Sequence, residues 1–165
     1  MLISGAFGTV FGGAGRGLST LGRRLFSGNR PQLPANANNI QKGNFGEMTM
    51  DRMFASRGYK RISPDRVTDI NAPTRRGVDG VYYKPGGKPP YIIGEAKFNT
   101  SGLSKLKDGT PQMSDRWIEP RLYKTFGKDM ARKIINTGYE RVLVKVDYGG
   151  NTTQSLLNAS GAVIK

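Results

Sequence analysis

The residues whose types and spacing suit them to chemistry are an aspartate at 79, a glutamate at 95 and a lysine at 97. Residues two apart on a strand share a face, so Glu95 and Lys97, within Tyr-Ile-Ile-Gly-Glu-Ala-Lys-Phe, point to the same side. Residues 77–84, which contain Asp79, and residues 91–98 flank Pro-Gly-Gly-Lys-Pro-Pro, and this predicts a hairpin that carries Asp79 towards that face. Two acids so placed can share one divalent cation, with the lysine ammonium beside it, and an all-oxygen donor set suits Mg²⁺, with Mn²⁺ or another divalent cation as substitutes. In such a site a cation polarises a phosphoryl oxygen and acidifies a water, while Lys97 orients the nucleophile or offsets charge growing on the phosphate. The chemistry implied is phosphodiester hydrolysis. Glu47, which follows Gly46, is a candidate fourth member.

The residue types that are missing narrow the alternatives. Without histidine or cysteine the chain has no disulfide, no Cys/His zinc site, no Ser-His-Asp triad and no imidazole base. Catalysis must therefore run on carboxylates, amines and metal. Gly-Gly-Ala-Gly-Arg-Gly at 12–17 has the wrong spacing for a dinucleotide loop, and no phosphate-binding loop of the P-loop kind is present.

The elements that must position these residues follow from periodicity. Residues 44–58 predict a first helix, with Asn44 as its cap and Gly58 as its stop. Residues 59–62 and 67–70 are short and read as strand or loop. Residues 112–118 and 128–135 read as two helical segments broken near Pro120 and Gly127, and Gly138 stops the second. Residues 139–148 alternate as a strand, Gly-Gly-Asn turns it, and the last residues supply one or two further strands. Helix, hairpin, helices and hairpin make an α/β or α+β arrangement.

The chain has 165 residues, enough for one domain. Residues 1–40 hold four arginines and no acid, and read as a glycine-rich flexible lead-in or linker with a Pro/Asn hinge from residue 30. The catalytic domain is expected over 41–165. Nothing in the lead-in reaches the roughly 20 apolar residues of a spanning helix, so no stable membrane span is expected. A formal charge of +14 draws polyanions, nucleic acid above all. Arg75 and Arg76, just before the Asp79 strand, and Arg116 and Arg121, on the later helical segment, are the candidate phosphate contacts. Trp117 is expected in the core.

Gly-Val-Asp-Gly-Val-Tyr followed by Ile-Ile-Gly-Glu-Ala-Lys resembles the PD-(D/E)xK nuclease superfamily, with Val78 in place of the name-giving proline. Together with Lys-Asp-Gly-Thr-Pro-Gln-Met-Ser-Asp-Arg-Trp-Ile at 107–118, it is similar to the nuclease toxin domains at the C-termini of bacterial contact-dependent inhibition, Rhs and type VI secretion effectors. The resemblance covers residues 43–150. It implies a restriction-endonuclease-like fold, a mixed central sheet flanked by helices. It also implies that Glu47, Asp79 and Glu95 hold metal, with Lys97 and a helical glutamine, here Gln112, completing the catalytic set. A secreted effector acting in the cytoplasm of a target cell, and an acidic immunity protein that blocks it beforehand, are further implications.

The resulting expectation is a Mg²⁺-dependent endonuclease toxin of interbacterial competition, with DNA as substrate. The alternatives are a ribonuclease toxin cutting tRNA on the same fold, and a basic nucleic-acid-binding module without catalysis. In the second of these, Asp79, Glu95 and Lys97 are only the solvated face of a sheet.

Overall fold

The computed structural model describes residues 30–165. Its first helix, α1 (Asn39–Ser56), starts five residues before the point that Asn44 suggested. The cap is Asn38, whose side chain accepts the Gln41 N–H at 2.9 Å while the Gln41 side chain accepts the Asn38 N–H at 2.9 Å. This reciprocal capping box satisfies two of the donors that a helix start leaves open. Asn44 instead lies inside the helix, buried, and its Nδ2 donates to the carbonyls of Ile70 and Ala72 at 2.8 and 2.7 Å. A helix-breaking residue by local preference is here a staple for a distant loop. The stop is as expected: Gly58 adopts φ +84, its N–H reaches the Ala55 carbonyl, and the Tyr59 N–H reaches that of Phe54. The Tyr59 and Phe54 rings meet edge to face at 6.1 Å, the apolar contact that accompanies this glycine-ended turn.

Five strands form one sheet in the order β1 (Lys60–Arg61), β2 (Gly80–Tyr83), β3 (Tyr91–Phe98), β4 (Tyr139–Val146) and β5 (Thr152–Leu157). The pairs β1–β2, β2–β3 and β4–β5 are antiparallel, whereas β3 and β4 run parallel. A parallel neighbour needs a crossover, supplied by a loop and the second helix, α2 (Asp115–Thr137). Residues 67–70 form no strand. They belong to the irregular stretch between β1 and β2, where Val67 is buried and Ile70 packs on the core.

One helix covers each face. Phe45, Met50 and Phe54 of α1 pack with Tyr82, Ile92, Phe98 and Val144, while Trp117, Ile118, Leu122, Ala131 and Ile134 of α2 pack with Val81, Ile93 and Leu143. Covered on both sides, β3 reads as an almost continuous apolar run, Tyr-Ile-Ile-Gly, before the charged residues begin. The mixed sheet between helices is thus of the expected α+β class. Leu33 and Ala37 also pack into this body, so it begins upstream of residue 41. The glycine-rich part of the lead-in, residues 1–29, lies outside the described residues.

The two expected helical segments are one element with a break. Gly127 leaves helical geometry at φ 76 and ψ 175, as its type permits, but Pro120 lies within the helix. Near the helix start its missing N–H costs a single bond, to the Arg116 carbonyl. Residues 112–114 precede the helix, so Gln112 stands in a loop and not on α2.

Candidate active site

Register builds the first half of the site. Gly80 pairs with Gly94, which leaves Asp79, just ahead of β2, level with Glu95. The Asp79 Oδ2 accepts the Ala96 N–H at 2.9 Å, extending the ladder by one side-chain bond. Glycine at 94 lets the opposite face close: a Cβ there would meet Met50 Sδ at 2.8 Å and Phe54 Cε2 at 3.2 Å. On Glu95's own face the carboxylate is buried at 3% exposure. Its Oε1 accepts from Lys97 Nζ at 2.9 Å and from Gln112 Nε2. Its Oε2 is buried and, among the described residues, has no hydrogen-bond partner.

Gln112 is held for this role, because its Oε1 accepts the Ser104 N–H at 3.0 Å and the Ser104 hydroxyl at 3.2 Å. With the amide oxygen so engaged, the amide nitrogen faces Glu95. The resemblance counted this glutamine in the catalytic set without naming its partner, and in the structure that partner is Glu95. Ser104 itself was missed, and its exposed, loop-bound sequence neighbourhood carried no signal for it.

Glu47 comes from α1 and lines a small pocket of about 70 Å³ together with Asp79, Arg61, Ser63, Arg75 and Arg76. The three carboxylates sense one another. Burial, then Asp79, pushes Glu47 up to about 8. Burial pushes Asp79 up to about 6, against the Ala96 N–H and Lys97, which favour its charge. Burial and then Asp79 push Glu95 well above the usual carboxylate range. Removing three such groups from water without a full set of cations favours keeping protons on them.

Among the described residues, no three acidic side chains stand close enough together to form a ready-made metal cluster. The donor chemistry nevertheless fits a divalent cation. Asp79 and Glu95 stand level across the hairpin, and among the described residues Glu95 keeps a buried oxygen without a partner. Two carboxylates that close ionise together only beside positive charge, and an orphaned buried oxygen is a costly feature in a folded core. Asp79 and Glu95 make the pair, and Glu47 lines the pocket beside Asp79.

The four candidate phosphate contacts separate. Arg75 and Arg76 are exposed and line the pocket with Glu47 and Asp79, Arg75 pairing with Asp65 at 3.0 Å. Arg121 lies over the Trp117 ring at 3.9 Å and donates to the Trp117 carbonyl at 2.7 Å, with its charge felt at Glu95. Arg116 is 78% exposed, with Asp108 at 3.9 Å, and does not line the pocket. Trp117 is buried in the α2 core as expected.

Sequence reasoning also missed the buried acid one helical turn beyond Glu47. Asp51, 3% exposed, accepts from the Tyr82 hydroxyl at 2.6 Å, from Arg61 at 2.9 Å and from Arg66 at 3.2 Å. An acid directly after Met50 on the apolar stripe of an amphipathic helix was the available signal.

No family model matches this chain, and none of the curated proteins or solved structures does either.

Proposed function

We propose that the protein is a metal-dependent nuclease, acting on DNA as a toxin delivered between bacterial cells. The observation that carries this reading is the Glu95 carboxylate. It is buried, level with Asp79 across the hairpin, bonded to Lys97 and Gln112 on one oxygen, and without a partner among the described residues on the other. A sheet face whose charges are merely solvated has no reason to bury a carboxylate at such cost.

Asp79 and Glu95 would hold Mg²⁺, with Glu47 opposite. When bound, the cation supplies Lewis-acid polarisation of a phosphoryl oxygen and a more acidic water. Lys97 presents its ammonium 2.9 Å from Glu95, where it offsets negative charge as the phosphate passes to its transition state. Gln112 fixes the rotamer of Glu95. Arg75 and Arg76 draw the polyanion to the pocket. An acidic immunity protein that covers this basic rim is the proposed partner in the producing cell, and the target-cell cytoplasm is the proposed place of action.

The test is incubation of purified protein with plasmid DNA and with total tRNA, each with Mg²⁺ and with EDTA, beside Glu95→Gln. The expected result is plasmid degradation that EDTA and the variant both abolish. Cleavage confined to tRNA would make it a ribonuclease on the same site. Nucleic-acid binding without cleavage of either would replace the enzyme with a binding module.

A further inference from the structure

Of the three carboxylates, Glu47 and Asp79 line a pocket that also holds a buried cation with no part in the chemistry so far. Arg61 lines the pocket with Glu47, Asp79, Arg75 and Arg76, yet its side chain is only 9% exposed. Its Nη1 donates to Asp51 at 2.9 Å, its Nε to the Ser63 carbonyl at 3.2 Å and its Nη2 to the Pro64 carbonyl at 3.3 Å. Asp51 is in turn held by the Tyr82 hydroxyl at 2.6 Å. A guanidinium has five N–H donors, so this frame fixes the group and, among the described residues, leaves two of them uncommitted.

We infer that Arg61 is a preorganised phosphate-positioning residue, which together with Arg75 and Arg76 forms a receiving pocket for one backbone phosphate of the nucleic acid beside the carboxylate site. The division of labour follows from exposure. Arg75 and Arg76, exposed at the rim, meet the strand first, whereas Arg61 is held by its frame and sets where the captured phosphate stops. Rigid placement of a fork-shaped donor is what gives guanidinium its geometric selectivity for phosphate oxygens. The Asp65 partner of Arg75 is exposed, so a phosphate can replace it without uncovering a buried charge. The proposal deepens the nuclease reading and depends on it for the identity of the ligand, but binding can be measured without catalysis.

The experiment is fluorescence anisotropy of a labelled 20-base-pair DNA duplex with the full chain in EDTA, across a salt series, for wild type, Arg76→Gln, Arg61→Lys and Lys88→Gln. Lys88 is exposed in the turn at the other end of the hairpin, so its variant removes an equal charge away from the pocket. Each lost phosphate contact lowers the slope of log affinity against log salt by about 0.9. The expected result is weaker binding, about fivefold to tenfold, with a reduced slope for Arg76→Gln, and weaker binding for Arg61→Lys, while Lys88→Gln matches wild type. Arg61→Lys keeps a cation for Asp51. If Arg61→Lys folds and binds with wild-type affinity and slope, the positioning role of Arg61 is overturned even where Arg76→Gln weakens binding. If it does not fold, Arg61→Gln beside Asp51→Asn, which keeps the pair uncharged, takes its place and is read the same way. Equal losses for Arg76→Gln and Lys88→Gln, or no loss for either pocket variant, would overturn the pocket. The nuclease reading fails separately, on absence of Mg²⁺-dependent cleavage by the wild type.

Discussion

Gln112 donates its amide N–H to the same Glu95 oxygen that accepts from Lys97, and Ser104 fixes the other end of that amide. A loop glutamine thus sets the direction in which the buried carboxylate presents its free oxygen. Gln112→Ala is expected to lower kcat by about tenfold or more with little change in KM, the loss associated with a hydrogen bond to a charged group. Gln112→Glu separates positioning from loop anchoring. It still accepts from Ser104 but sets a second negative charge against Glu95, so it should be at least as inactive as the alanine variant. Recovery of activity in Gln112→Glu would show that the residue only anchors its loop.

Asp79 has a structural bond and a charge, and two substitutions divide them. Asp79→Asn keeps an oxygen for the Ala96 N–H and loses the charge, whereas Asp79→Ala loses both. Both are expected to be inactive on plasmid DNA. Only the alanine variant should lose stability, by about 1–3 kcal/mol for an N–H left without its acceptor, as read by urea denaturation.

Stability should fall as pH rises. Glu47 and Asp79 titrate at about 8 and about 6 in the folded chain, above their ordinary 4.5 and 3.8. The folded state therefore holds more protons than the unfolded one across this window. The penalty is absent below about pH 4, grows from there, and is complete above about pH 8. In EDTA the melting temperature is expected to drop between pH 5 and 8.5, and Glu47→Gln should flatten the upper part of that drop. Mg²⁺ at pH 8 should restore part of the loss in wild type and less in Glu95→Gln, because a bound cation needs the ionised carboxylates. A melting temperature that climbs over the same range would contradict the buried, mutually repelling arrangement.

Two glycines beside the site should respond oppositely. A Cβ on Gly46 would meet Ala96 Cβ at 3.6 Å, an ordinary contact, so Gly46→Ala should be tolerated and gain up to about 1 kcal/mol of helix preference. A Cβ on Gly94 would press on Met50 Sδ at 2.8 Å and on two rings. Gly94→Ala is expected to cost about 1–3 kcal/mol and to move β3 away from α1, with loss of cleavage. Thermal melts of the pair, run side by side, check both.

Much of the frame was legible from short-range rules. The turn at 85–90 and the alternation of Glu95 and Lys97 placed Asp79 beside them, and β3 occupies the span its pattern suggested. Gly58 ended its helix because few residue types adopt φ +84 without strain. Asn44 misled for an equally local reason. It is a good cap by type, but its two acceptors lie 26 and 28 residues away, and bonds of that range leave no periodic trace.

The sequence by itself determined the hairpin, the absence of imidazole and thiol groups, and the surplus of positive charge. These depend on residue type and on interactions within a few positions. Only the tertiary structure decided that Gln112 serves Glu95, that Arg76 faces the pocket and Arg116 does not, and that Asp51, itself held by Tyr82, holds Arg61. Those partners meet across 10 to 31 residues, when α1 and α2 close on opposite faces of one sheet. Burial then raises the cost of every unpaired charge, and so selects which of many possible pairs are made.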